Sequence, residues 1–260
     1  MKNEEIRTLR EKRIKKANSL IQKSHFDLTL QQQKMMLFLI SQIKPGDKDF
    51  KTYSFNIREF AMITGIDFNS GGNYALLKQQ IQKIADKSVW VKIDGIDTLL
   101  RWIEKAKFNE KSGNIEIRLD SDMRPFLLQL KANYCEYDLL FVLGLRSKYA
   151  LRAYEYFQSV HFDKLKPYKF YISYEELKTR LGAETYNKQD NFARRVLIPA
   201  VEEINKYSDK TVSYEKVRKG NAIIGYEFTI QTKDVVSRVE TAAAIDRDLN
   251  RYIADVATEE

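Results

Sequence analysis

The chain has 260 residues, 44 Lys plus Arg against 36 Asp plus Glu, a formal charge of +8 and a pI near 9.2. A hydrophobic share of 43% with only four Pro and ten Gly excludes a disordered polyelectrolyte and suits one large or two small domains. A single cysteine, Cys135, excludes internal disulfides and paired-thiolate zinc sites, and the lack of an apolar run near the roughly 18 residues of a membrane span or of a signal core predicts a cytoplasmic protein with no membrane contact.

Residues 1–24 carry eight basic and three acidic side chains, and residues 232–260 carry four and seven. The chain therefore reads as a basic N-terminal arm (1–26), a basic body and an acidic tail (232–260). That balance suggests a polyanion partner, although an ordinary soluble protein with spare lysines has it too.

After the arm, one constant offset of 117 residues relates the two halves of the body. Leu28 maps to Leu145, Leu37 to Tyr154, Ile40 to Phe157 and Ile43 to Val160. MMLFLISQI and ALRAYEYFQSV, with apolar residues at helical spacing, are predicted amphipathic helices. Alternating stretches at 52–55 and 169–172 follow as short strands. Next come two short helices, NIREFAMITG and SYEELKTRLG, with Asn56 and Ser173 as N-caps and Gly65 and Gly182 closing them.

A third helix follows in each copy, NYALLKQQIQKIAD and NKQDNFARRVLIPAVEEIN. Strands are predicted at 89–93, 98–108 and 115–119 after the first, and at 211–217 and 223–230 after the second. Between the copies, SDMRPFLLQL reads as a connecting helix and 137–143 as an apolar strand. The fold class is thus α+β: tandem duplicated winged-helix domains, each a helix-turn-helix with a β-hairpin wing, over 27–143 and 144–231. The tail is expected to be partly helical.

The helix predicted from Asn187 separates into two faces at 100° per residue. Phe192, Ala193, Val196, Leu197, Ala200, Val201 and Ile204 share an apolar arc, and Asn187, Lys188, Asn191, Arg194, Arg195 and Ile198 lie opposite. Arg donates two hydrogen bonds to guanine, Asn pairs with adenine, and Lys suits phosphates, so the second arc is either a base-reading face or merely a solvated one. Pro199 predicts a bend. Lys216, Arg218 and Lys219, with Gly220 and Asn221, form a basic wing tip suited to phosphate or minor-groove contact. In the first copy, Lys78 and Lys83 lack a guanidinium fork and fit backbone contacts instead.

No enzyme signature accompanies this plan. His25 and His161 have no second ligand at metal spacing, no phosphate-cradling Gly-rich loop exists, and Cys135 has no histidine partner by spacing. Neither a metal nor a cofactor is expected.

LRSKYALRAYEYF, SYEELKTRLG and FARRVLIPAVEEIN, followed by VSYEKVRKG, together resemble the initiator Rep proteins of iteron-containing, theta-replicating plasmids. The resemblance spans about residues 20–231, and Leu197, Pro199, Ala200, Glu203, Ile204 and Asn205 carry its most specific block. It implies two winged helices that bind repeated origin sequences in double-stranded DNA as a monomer. It also implies homodimers, formed through the first domain, that bind an inverted repeat and repress the protein's own gene. By position, base reading falls to Lys188, Asn191, Arg194 and Arg195, and backbone contact to Lys78 and Lys83. The host initiator ATPase and replicative helicase are the further partners so implied. A dimeric winged-helix repressor with no replication role and a protein-interaction scaffold are the rival readings.

Overall fold

The computed structural model describes residues 3–64, 73–109 and 111–257, and these form two compact units. One unit comprises the described residues up to Leu143 together with those from Asp246 onward; the other is Gly144–Ile245. Gly65, expected to close a helix, lies outside the described residues.

The first unit opens with α1 (Asn3–Arg10), β1 (Arg13–Ala17), α2 (Asn18–Gln22) and β2 (Ser24–His25). The expected basic arm is therefore built into the domain. Ile14 and Leu20 are fully buried, and β1 pairs antiparallel with β8 (Tyr134–Asp138) in the register Ile14 to Tyr137. Charge counting hid this because the apolar side chains that anchor the segment are few and widely spaced among lysines and arginines.

The winged-helix plan follows in α3 (Leu30–Ser41), β3 (Tyr53–Asn56), α4 (Ile57–Thr64) and α5 (Asn73–Asp86). Thr29 caps α3 in a reciprocal box with Gln32. Phe38, Phe55 and Phe60 meet at 5.1–5.5 Å between ring centroids and hold α3, β3 and α4 together. The segment expected as one strand over 98–108 is two, β5 (Ile96–Arg101) and β6 (Ile103–Asn109), broken at the buried Trp102. As a result β4 (Ser88–Ile93) and β5 form an extra hairpin in a sheet ordered β2-β4-β5, turned by Asp94 and Gly95, both at positive φ. The wing itself is β6 with β7 (Asn114–Leu119), in a sheet ordered β3-β7-β6.

Two further expectations change here. The connecting helix at 121–133 is a 3-10 turn (Ser121–Met123) and one α-turn, α6 (Arg124–Leu127); Leu128 is extended and Gln129 has a positive φ, which ends it. The apolar strand expected at 137–143 is mostly α7 (Leu139–Gly144), entered from the end of β8. A short apolar run buried on all sides has no periodicity that separates helix from strand.

The second unit repeats the plan without the extra hairpin: α8 (Lys148–Val160), β9 (Tyr168–Ser173), α9 (Tyr174–Leu181), a three-part third helix, β10 (Lys210–Lys219) and β11 (Ala222–Thr232). Its sheet order, β9-β11-β10, matches that of the first unit, with the last strand central in both. α4 and α9 are each eight residues long and stand at the 117-residue offset. Ser173 accepts from the Glu176 amide, and Gly182 closes α9 at φ +64 in the left-handed conformation. Phe157, Phe170 and Phe228 form the aromatic core, with centroids 5.1–6.2 Å apart.

The tail is one long helix, α12 (Val235–Ala257). Its residues from Asp246 onward belong to the first unit, where the buried Arg10 guanidinium donates to Asp246 at 2.6 Å and Asn250 at 2.9 Å and to the carbonyls of Met62 and Ile63.

Candidate nucleic-acid interface

The third helix of the second unit starts at Gln189, not Asn187, with Lys188 in an extended conformation as its N-cap residue. It runs as α10 (Gln189–Phe192), a π-turn (Ala193–Leu197) and α11 (Ile198–Tyr207). The bend expected at Pro199 is expressed as that wider turn. Proline has no N–H to offer the carbonyl four residues back, and the ladder before it shifts to five-residue spacing.

The two predicted faces separate as expected. Phe192, Val196, Leu197, Ala200, Val201 and Ile204 are buried, and Ala193 is half-buried. Lys188, Arg194 and Arg195 are exposed, Asn191 is half-buried, and Arg194 lies 3.4 Å from the Asn191 side-chain oxygen. Both arginines lie in the π-turn and are exposed, and each guanidinium offers donors in a planar fork.

The wing is a two-residue hairpin. Gly220, at φ +61, takes the first central position, which favours glycine, and a Cβ there would meet nothing within 4 Å. Lys216, Arg218 and Lys219 are exposed along β10, whose register shifts between Val217 and Arg218. Arg218 donates to the Asn221 carbonyl at 3.1 Å and stiffens the tip.

Three side chains that sequence reasoning did not single out for this task hold helix and wing in place. Gln189 donates to the Ile223 carbonyl at 2.7 Å, tying the start of the third helix to β11. Asn205 exchanges two hydrogen bonds with Val212, at 2.9 and 2.6 Å, and so joins the end of α11 to β10 as a strand neighbour would. Glu203 accepts from the amides of Arg146 and Ser147 at 2.9 and 3.1 Å and anchors the entry to α8. Read along the helix alone, Glu203 looks like a solvated carboxylate, because its partners lie more than fifty residues away.

In the first unit, Lys78 and Lys83 are exposed on α5. The wing there adds Lys105, Lys107 and Lys111, all exposed, with Lys107 paired to Glu116 at 3.3 Å. Sequence reasoning missed these three lysines, although a basic turn ending at Gly113, at φ +68, was the available signal. His161 is buried and its Nε2 donates to the Lys166 carbonyl at 2.8 Å, while His25 is exposed on the short strand β2 opposite Trp90.

Comparison with known families decides what this pair of units is. Residues 13–158 match the family described as "Initiator Replication protein, WH1", and residues 173–230 match "Initiator Rep protein, WH2". The chain belongs to the initiator replication protein family. Among solved structures, this initiator is similar to the Pi initiator protein crystallised in complex with iteron DNA, with a TM-score of 0.70 and 20% identity over 87% of this chain and 99% of that one. A selenomethionine structure of domains 2 and 3 of RctB also matches, at TM-score 0.49 and 11% identity over 86% of this chain and 92% of that one. No curated protein sequence matches the initiator.

The first family match starts at β1 and runs into α8, the second spans β9 to β11, and the residues of the most specific sequence block now have physical roles. Leu197, Ala200 and Ile204 pack the core, Pro199 makes the π-turn, and Glu203 and Asn205 hold neighbouring elements. Among the described residues, no helix of the initiator is long and apolar enough to cross a membrane.

Proposed function

We propose that this initiator acts on a plasmid origin, where its second winged helix reads repeated sequences in double-stranded DNA as a monomer. The observation that carries the reading is the exposure of Lys188, at the N-cap, and of Arg194 and Arg195 on the third helix of that unit, together with its exposed basic wing. Helix residues at this position suit base edges in a major groove, and the wing suits the flanking phosphates. Lys78 and Lys83, with the first unit's wing lysines, suit backbone contacts. The Pi initiator is described in complex with iteron DNA, which supports repeats of that kind as the target. The role is one of binding, in the cytoplasm, with no catalytic step.

Homodimers that repress the initiator's own gene form part of the same reading. The extra hairpin of the first unit supports them: Trp90 stands opposite Leu99 in register, 49% and 52% exposed, and β5 is an edge strand. A hydrophobic ribbon beside an open edge is a surface that a second copy can cover symmetrically. The host initiator ATPase and replicative helicase are the other partners the role requires.

Gel shifts on origin DNA with Arg194→Ala and Arg195→Ala test the base-reading role. Each should lose about 1–3 kcal/mol at particular base pairs and relax specificity there. Equal weakening on every sequence would show contact with phosphates only.

A further inference from the structure

The first unit contains a cavity of about 410 Å³ bounded by the residues that begin β1, the turn after α3 and the stretch after α6. Ile40, Ile43, Pro45 and Leu130 give it an aliphatic floor. Its charged lining is four cations, Lys12, Arg13, Lys15 and Lys44, against one carboxylate, Glu136. Glu136 is already shared by Arg13 at 3.3 Å and Lys15 at 3.5 Å, and Arg13 also has Asp138 at 3.3 Å.

Lys12 is in a different position. Its ammonium donates to the neutral side-chain oxygen of Gln42. Burial, and after it the like charge of Lys44, holds its pKa below the ordinary 10.5. Asp47 is close to Lys44, but its carboxylate already accepts from Lys51 and from the Lys44 backbone amide. Two cations over an apolar floor repel each other in the free protein, and an anion placed between them relieves that cost.

We propose that this cavity is a docking site for an acidic peptide segment of a protein partner. A large apolar side chain would sit on the Ile43 and Pro45 floor, and an adjacent carboxylate would lie between Lys12 and Lys44. The lining favours a peptide over a nucleic acid: Ile40, Ile43, Pro45, Leu127 and Leu130 offer a phosphate backbone no donor, and no aromatic ring is there for an unpaired base to stack on. The volume is near the lower end of ligand pockets and accepts one bulky side chain as an anchor. The base-reading helix belongs to the other unit, so this proposal and the DNA-binding reading can fail separately.

The test uses the full chain and fluorescence anisotropy of a labelled heptapeptide, Gly-Glu-Leu-Phe-Glu-Asp-Gly. Saturable binding is expected, and it should weaken about tenfold or more when Leu-Phe is replaced by Ser-Ser, the scale of one lost buried anchor. A comparable loss is expected for the Lys12→Gln, Lys44→Gln double variant, which should keep wild-type affinity for origin DNA. Excess duplex DNA should leave the peptide bound. Failure of the wild-type chain to bind, equal binding of the two peptides, equal binding by the double variant, or displacement by duplex DNA would each overturn the proposal. The two peptides compared on the wild-type chain keep the test decisive even where the double variant does not fold.

Discussion

Replacing Lys210 by Met should make the second unit more stable at neutral pH and remove one component of its pH dependence. Lys210 is fully buried, donates to the Thr232 hydroxyl at 2.8 Å and lies 3.4 Å from His161 Nδ1 and 3.8 Å from Asp209. Because His161 Nε2 donates to the Lys166 carbonyl, its Nδ1 is left as an acceptor for the ammonium. Burial pushes the Lys210 pKa down from 10.5 to about 8; Asp209 opposes that shift, and Lys164 and Arg238 reinforce it.

At about 1.4 kcal/mol per pKa unit, the buried charge costs roughly 3 kcal/mol. Between about pH 8 and pH 10.5 the unfolded chain holds the proton that the folded chain has lost, so wild-type stability rises with pH there. Below pH 8 both states are protonated and the cost is fully present. Methionine removes the charge but leaves the Thr232 and His161 partners without a donor, worth about 1–2 kcal/mol together, so a net gain of about 1–2 kcal/mol is expected at pH 7.5. Urea denaturation at several pH values between 7.5 and 10.5 reads both effects, and the variant's advantage should disappear or reverse by pH 10.5. Parallel curves for the two proteins would refute the reasoning, because they would mean that water reaches the ammonium.

Asn205→Ala should cost about 2–3 kcal/mol, since it removes two hydrogen bonds to Val212 and leaves that backbone pair unsatisfied; the urea midpoint of the second unit checks it. Arg194→Ala and Arg195→Ala should leave stability within about 0.5 kcal/mol of wild type, as exposed positions do. Unfolding of either variant well outside that range would assign the arginines a structural role. Trp90→Ser with Leu99→Ser should shift the initiator to monomers in sedimentation equilibrium without weakening binding to a single repeat, and dimers that persist would move the interface elsewhere.

Much of the fold was legible because the two copies repeat one pattern. The α9 helix could be read from Ser173 to Gly182, where local capping chemistry decides the ends. The apolar arc of the third helix was legible for the same reason: side-chain spacing on a helix is local. What escaped depends on distant partners. Ile14 in β1 acquires a role only when Tyr137 pairs with it, and α7 was misread because a fully buried apolar run shows no face. The strands on either side of Asp94 and Gly95 were legible, but the break at Trp102 that makes an extra hairpin of them was not, because the second copy has no equivalent to reveal it.

At the interface, the cations were legible because Arg, Lys and Asn on one arc are unusual, but the side chains that aim them were not. Gln189 and Glu203 act through partners 34 and 57 residues away. The effect of Pro199 was legible as a break, but not its form, a π-turn carrying Arg194 and Arg195.

The central claim is that the third helix of the second winged helix reads a repeated DNA sequence. Nuclease footprinting across the DNA flanking the gene, with the wild-type chain beside Arg194→Ala and Arg195→Ala, tests it most directly. The account predicts several evenly spaced protected sites that fade in the variants. A single protected palindrome, or protection that the two substitutions leave unchanged, would contradict it.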